Sequence, residues 1–141
     1  MNKLYWLIGL LAISAFAGCG SDIVSTDRLK MLEHKCVYIE PLDSDDPHVG
    51  KVIRDVLEKE LMRRQIELCD PNTATVLFTG STFMTVRGSG SATSQSIESV
   101  SLVGKDPNGE LLLSASYDNK ERYSASKLAQ QFGSSLAKKL K

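Results

Sequence analysis

The chain has 141 residues, and its 17 Lys and Arg residues balance 17 Asp and Glu residues, so its formal net charge is zero. This balance excludes the class of nucleic-acid-binding domains that depend on a strong basic excess. The sequence contains two histidines, His34 and His48, which leaves most catalytic triads and histidine-based metal sites without members. We therefore predict a protein that is not an enzyme, with no cofactor and no metal ion.

Residues 1–18 have the organisation of a secretory signal peptide. Lys3 makes the start positively charged, and a nearly continuous apolar run follows from residue 4 to residue 16. A run of this length suits the hydrophobic region of a signal and is short for a transmembrane helix. The small residues Ala17 and Gly18 then lead directly into Cys19.

The stretch Ala17-Gly18-Cys19 resembles the lipobox of bacterial lipoproteins. The resemblance implies cleavage before Cys19 and acylation of both its sulfur and the new amino terminus, which would hold the protein on a membrane. Phe16 departs from the usual Leu, and an ordinary cleaved signal or a retained amphipathic helix is the alternative. Gly20 replaces the Asp of an inner-membrane retention signal. We therefore predict the periplasmic face of the outer membrane, with the inner membrane or the cell surface as alternatives.

The mature chain has room for one domain with a real hydrophobic core. We predict a lipidated tether over residues 19–34, containing a short helix that Asp27 caps, and a single domain over residues 35–141. Removal of Lys3 with the signal leaves a net charge of about −1.

The first part of the domain has the pattern of a βαβ unit. Residues 36–40 alternate in polarity and predict a strand that ends at Pro41. Asp46 followed by Pro47 is typical of a helix start, and apolar residues at helical spacing continue to about Arg64. A short strand follows at residues 66–68. Two strands joined by a helix in this way are expected to be parallel, with a right-handed crossover.

The second part of the domain predicts three more strands and a helix. The strands cover residues 75–87, 97–103 and 110–117, and the last two form a hairpin across the turn at residues 105–109. Ser124 or Ser126 caps a C-terminal helix, whose final lysines suit the negative end of the helix dipole.

The resulting order is β-α-β-β-β-β-α. We predict an α/β (α+β) fold of two layers, with a mixed five-stranded sheet and both helices on one face. The apolar parity of the strands assigns these residues to the helix-covered face: Val37, Ile39, Ile66, Leu68, Val76, Phe78, Val100, Leu102, Leu111 and Leu113. The opposite parity is polar and is expected to remain exposed: Thr79, Ser81, Thr85, Ser99, Ser101, Ser114 and Ser116.

Cys36 and Cys69 are a candidate disulfide, because an envelope compartment is oxidising and strand parity places both side chains on the open face. The offset between the start of one strand and the end of the other is about 7 Å, near or beyond the Cα separation that a disulfide accepts. Two separate thiols that serve as small apolar residues are therefore the alternative.

Two loops are candidates for binding. The glycine- and serine-rich loop over residues 87–96 is predicted as a hairpin connection, and as a docking loop it would use Arg87, Ser89, Ser91 and Thr93. The acidic loop has oxygen ligands suited to a hard cation, but helix capping and solubility explain it more simply. The acidic loop covers residues 42–46, and the candidate ligands are Asp43, Asp45, Asp46 and the nearby His48.

Three stretches of the domain resemble a group of bacterial envelope lipoproteins: residues 37–41, 76–81 and 106–112. Their shared domain is similar to the N-terminal domain of TolB and recurs in CsgG and LpoB. The resemblance implies a non-enzymatic accessory that assembles with or binds an envelope protein. No segment is long enough for the pore hairpins of CsgG, and the predicted tether is shorter than the linker of LpoB. The alternative is a lipoprotein that binds a small molecule or ion on the Ser/Thr-rich open face.

Overall fold

The computed structural model describes residues 20–91 and 93–141. The predicted signal peptide and Cys19 lie outside these residues. The described chain contains six strands and three helices in this order: β1 (Ser21–Ser25), α1 (Asp27–Met31), β2 (Cys36–Ile39), α2 (Pro47–Arg63), β3 (Glu67–Leu68), β4 (Val76–Arg87), β5 (Ser94–Lys105), β6 (Leu111–Asp118) and α3 (Ala125–Leu140).

The strands form one mixed sheet in the order β1-β6-β5-β4-β2-β3. β2 is parallel to both β3 and β4, so the predicted βαβ unit has the predicted strand direction. The remaining neighbours are antiparallel, and β5–β6 is the predicted hairpin. The α/β class is thus confirmed.

The prediction of five strands was wrong, because the sheet has six. The additional strand is β1, which lies in the segment predicted as a tether and pairs with the outer edge of β6. Its residues alternate, and Ile23 packs against the core while Val24 is 65 % exposed. Five residues of mixed polarity give too weak a periodic signal to identify an edge strand from sequence.

The helix starts follow from their capping residues. The Asp46 carboxylate accepts a hydrogen bond from the His48 amide at 2.9 Å, and Pro47 occupies the first turn of α2. The Ser124 hydroxyl accepts one from the Lys127 amide at 3.3 Å, which selects Ser124 over Ser126 as the cap of α3. Within the described chain no helix is both long and apolar enough to span a bilayer.

The core lies between the sheet and the two long helices. Phe78 on β4 and Phe132 on α3 are fully buried there, and the Tyr117 ring lies 5.8 Å from that of Phe132. Leu111 was predicted to face the core but is 45 % exposed, because a bulge beside Lys105 shifts the register of β6.

Helices α2 and α3 pack against each other through a close approach at Gly133. A Cβ atom built on this glycine would lie 2.9 Å from the Cβ of Glu60 on α2. The Glu60 side chain is buried but accepts hydrogen bonds from both Arg63 and Arg64. Arg64 also donates to the Ser134 hydroxyl at 3.0 Å, so one ion-pair cluster closes the helix seam.

Candidate functional site: the open sheet face and the pocket beside its long hairpin

The sheet face opposite α2 and α3 is the main candidate surface. Its side chains align in rows across the strands because neighbouring residues are paired in register. One row joins Asp22, Ser116, Ser101 and Ser81, each from a different strand. Such a row offers three hydroxyl groups and one carboxylate, all on small side chains that leave room for a partner to approach the sheet.

The neighbouring rows add apolar groups to this polar surface. Val24 lies in the row of Ser114, Val103 and Thr79, and Phe83 is paired with Ser99 on β5. Val24 and Phe83 are 65 % and 62 % exposed. An aromatic ring that is largely exposed within a hydroxyl-rich face is a feature of interaction surfaces rather than of a solvated one.

Phe83 was missed in the sequence analysis, although the signal was present. Its parity matches that of Thr79, Ser81 and Thr85, so an aromatic residue stands in a polar series along β4. This parity was predicted to be polar and exposed, and Phe83 is the aromatic exception in it.

The predicted docking loop is the tip of the long β4–β5 hairpin. β4 ends at Arg87 as predicted, whereas β5 begins at Ser94, three residues earlier than predicted, so the connection is shorter than the predicted loop. Ser89, Ser91 and Thr93 are exposed in or beside this turn, and Arg87 ends β4. Gly90 has a φ of 63°, which favours glycine and is typical of a tight connection.

A pocket of about 740 Å³ lies beside the half of this hairpin that is nearer its tip, where Met84 pairs with Ile97. Its lining combines apolar side chains from the strands and the helix starts with polar groups from the β6–α3 loop. The residues that characterise it are Met84, Ile97, Glu98, Lys120, Arg122 and Tyr123.

Asn119 fixes the loop wall of this pocket. Its side-chain amide donates to the carbonyls of Ile97 and Tyr123 at 2.9 and 3.0 Å, and its oxygen accepts from the Tyr123 amide at 2.8 Å. On the strand side, the Thr85 hydroxyl donates to the Glu98 carboxylate at 2.6 Å. The pocket is therefore held by short hydrogen bonds on two sides.

Cys36 and Cys69 meet at the far edge of the sheet, where the structure joins them as a disulfide with a Cα separation of 5.7 Å. The Cys69 amide donates to the Val37 carbonyl at 2.9 Å, which holds the end of β3 against β2. The predicted offset of about 7 Å assumed that Cys69 lies within a regular strand. Because β3 ends at Leu68, Cys69 lies beyond the strand and can approach Cys36 more closely. Formation of this bond in the cell stays a prediction.

The acidic loop has a structural explanation. Asp46 caps α2, and the Asp43 backbone extends the sheet by bonding to Gly80 and Thr82. Among residues 20–91 and 93–141, the loop carboxylates are not close enough to form a cluster that could hold a metal ion.

The comparisons with known proteins find similarity in fold only. No protein-family model and no curated protein matches the chain. The PelC dodecamer from Paraburkholderia phytofirmans gives a TM-score of 0.57 at 14 % identity, over 85 % of this chain and 95 % of that chain. A point-variant PelC dodecamer from the same organism gives 0.58 at 12 % identity, over 86 % and 98 %. A minor lipoprotein from Acinetobacter baumannii has 19 % identity over 77 % and 91 %, with a TM-score of 0.36. The last score is too low to support an argument, and the PelC structures establish a shared fold alone.

Proposed function

We propose that this chain is a non-enzymatic assembly lipoprotein of the bacterial envelope, anchored through Cys19 and associating with further copies of itself through the open sheet face. The observation that carries the proposal is this uncovered face, where Phe83 and Val24 are exposed among rows of serine and threonine. The anchor comes from the lipobox resemblance, and the proposed location is the periplasmic face of the outer membrane.

Two further observations support a second copy as the occupant. The open face carries both charge signs, since Asp22 and Asp118 share it with Lys105, so copies of it would not repel each other strongly. PelC, whose fold is similar over almost its whole length, is a dodecamer. The resemblance to the TolB, CsgG and LpoB group also implies assembly with, or binding of, an envelope protein.

Site-specific photo-crosslinking in intact cells tests the association. A benzophenone amino acid at the exposed Ser101, in the middle of the open face, is compared with one at the exposed Lys59 on α2. We expect an adduct of twice the chain mass from position 101 and none from position 59. Adducts of equal yield from both positions would contradict a specific role for the face. An adduct of another mass would replace self-association with a different envelope partner.

The anchor is tested separately. Cys19→Ser should leave an unprocessed precursor that a clickable fatty acid does not label, with Cys69→Ser as the control that labels normally. Membrane partition and labelling equal to wild type would contradict the lipoprotein assignment. Separation of inner and outer membranes on a density gradient then decides the location.

A second candidate function is the binding of a small molecule, which the 740 Å³ pocket favours. Its volume falls in the range of ligand sites, and Tyr123 offers an aromatic wall beside Lys120, Arg122 and Glu98. Native mass spectrometry of protein extracted gently from the envelope should then reveal a bound species. Tyr123→Ala should lose that species, while Ser101→Ala should retain it.

A further inference from the structure

Four side chains with metal-binding atoms surround the junction of β2 and β3. Cys36 and Glu67 are directly paired in the parallel register, which places their side chains on the same face. The His34 Nε2 lies 2.9 Å from the Glu67 Oε2, and the Cys36 sulfur lies within 4.8 Å of the ligand atoms of both. The Cys69 sulfur lies 3.8 Å from the other Glu67 oxygen.

This donor set suits zinc. Two sulfurs, one imidazole nitrogen and one carboxylate oxygen make a four-coordinate site, with Zn–S bonds of about 2.3 Å and Zn–N or Zn–O bonds of about 2.0–2.2 Å. Such bonds place neighbouring ligand atoms of a tetrahedron roughly 3.3–3.8 Å apart. The His34–Glu67 and Cys69–Glu67 distances of 2.9 and 3.8 Å are close to this range, and the two sulfurs reach it by separating when the disulfide is reduced. Thiolate ligands also favour zinc over magnesium or calcium.

The surroundings of the cluster support its geometry. The Thr75 hydroxyl accepts a hydrogen bond from the Cys36 amide at 2.8 Å and lies 3.0 Å from the His34 carbonyl, to which it donates. One side chain thus fixes the backbone that carries two of the four ligands. Thr75 acts as a positioning residue of the kind that orients metal ligands from behind.

Access to the cluster is one-sided. Cys36 is 1 % exposed, whereas the side chains of His34 and Glu67 are 66 % and 56 % exposed. Cys69 is half-buried, so its sulfur is the one that a reductant reaches from solvent. A metal ion would enter from the side of His34 and Glu67.

We propose that this position has two alternative closures: the Cys36–Cys69 disulfide when oxidised, and one zinc ion held by Cys36, Cys69, His34 and Glu67 when reduced. A dithiol reductant supplies two electrons and two protons, so the S–S bond breaks, two thiols form and the reductant becomes a disulfide. Zinc then displaces the two thiol protons and forms two Zn–S bonds. Either closure ties the short strand β3 to β2. The metal ligands are thiol, imidazole and carboxylate groups, whereas the proposed association surface consists of hydroxyl and apolar groups. The zinc proposal does not depend on the proposed function.

The sequence alone predicted no metal ion, because its two histidines leave most histidine-based metal sites without members. The four proposed ligands come from separate segments, and His34 lies outside the predicted strands. Only the parallel pairing of β2 with β3 brings Cys36 and Glu67 together.

Zinc titration of the full chain, purified in detergent, tests the proposal. After reduction by a phosphine and its removal, we expect one equivalent of Zn²⁺ to bind, to protect both thiols from alkylation and to raise the melting temperature. The oxidised protein should bind at least a hundredfold more weakly. Co²⁺ should give the intense visible absorption of a tetrahedral site with thiolate ligands.

Variants separate this site from adventitious binding. His34→Ala and Glu67→Gln should each weaken zinc binding about tenfold or more, whereas His48→Ala, which removes the other histidine, should not. If the reduced protein unfolds without metal, added zinc should restore its circular dichroism spectrum. Failure of the reduced protein to bind zinc or to refold with it would overturn the proposal. So would a His34→Ala variant that binds zinc as tightly as His48→Ala does.

Discussion

The helix-covered face and the open face of the sheet are built from alternate residues of the same strands, and β4 carries a phenylalanine on each. Phe78 is completely buried against the helices, whereas Phe83, five residues further along, is 62 % exposed. On the helix-covered face, apolar side chains pack in the core, and their removal destabilises the fold. On the open face, the exposed Phe83 ring is available to contact a partner. The comparison shows that strand parity and helix cover decide whether an aromatic residue of β4 is buried or exposed.

The largest expected effect tests this pair directly. Phe78→Ala should destabilise the protein by about 3–5 kcal/mol, since it leaves a cavity in a packed core. Phe83→Ala should change the free energy of unfolding by less than about 0.5 kcal/mol and reduce the Ser101 crosslink. Urea denaturation, at a dilution where the protein is monomeric, measures the free energy of unfolding of both variants. Equal losses of stability would mean that Phe83 is part of the folded core.

The next effect concerns the edge of the sheet, which has little core of its own. The disulfide closes a loop with a sequence separation of 33 residues, and its loss in Cys69→Ser should cost about 3–4 kcal/mol in the chain-entropy model. Mass spectrometry of protein purified from the envelope without reductant decides whether the bond forms. Two alkylatable thiols would end the disulfide prediction. A stability unchanged in Cys69→Ser would show that the β2–β3 pairing holds the edge alone.

Much of the helix-covered face was predictable from sequence, and less of the open face was. The helical spacing from Val49 to Leu61, with its Asp46 cap, identified α2 almost to the residue. Long apolar periodicities and capping residues act locally, so sequence reasoning finds them.

The features that sequence reasoning missed depend on contacts distant along the chain. β1 is stable only because β6 offers it an edge, and the bulge at Lys105 that exposes Leu111 depends on strand pairing. The pocket requires the hairpin to meet the β6–α3 loop, and the metal-ligand cluster requires β2 beside β3. No local pattern reports these arrangements.

A smaller effect tests how tightly the helix layer is packed. Gly133→Ala should destabilise the protein by roughly 1–3 kcal/mol, because the added methyl overpacks the α2–α3 seam against Glu60 and outweighs the gain in helix propensity. Gln130→Ala, at an exposed position of the same helix, should stay within about 0.5 kcal/mol of wild type. Thermal unfolding compares the two. A Gly133→Ala variant more stable than wild type would show that α2 and α3 move apart at little energetic cost to accommodate the methyl group.

The smallest effect lies at the margin of the helix layer, where Glu58 is partly buried. Burial raises the pKa of Glu58 above its ordinary value of 4.5, the Arg54 guanidinium opposes this rise, and the Asp55 carboxylate adds to it. The folded state therefore holds the Glu58 proton more tightly than the unfolded chain does. This contribution to stability is present below pH 4.5 and is lost as the pH rises through the raised pKa.

Glu58→Gln should remove that loss, so its melting temperature should improve relative to wild type as the pH increases above 4.5. Arg54→Gln removes the opposing charge, so the melting temperature should decline more steeply with pH than in wild type. The loss of the Arg54–Ile39 hydrogen bond should lower the melting temperature equally at every pH and leave this slope unchanged. Parallel pH dependences for wild type and both variants would show that Glu58 is hydrated like an open-face residue, and the boundary between the two regions would then lie closer to the core.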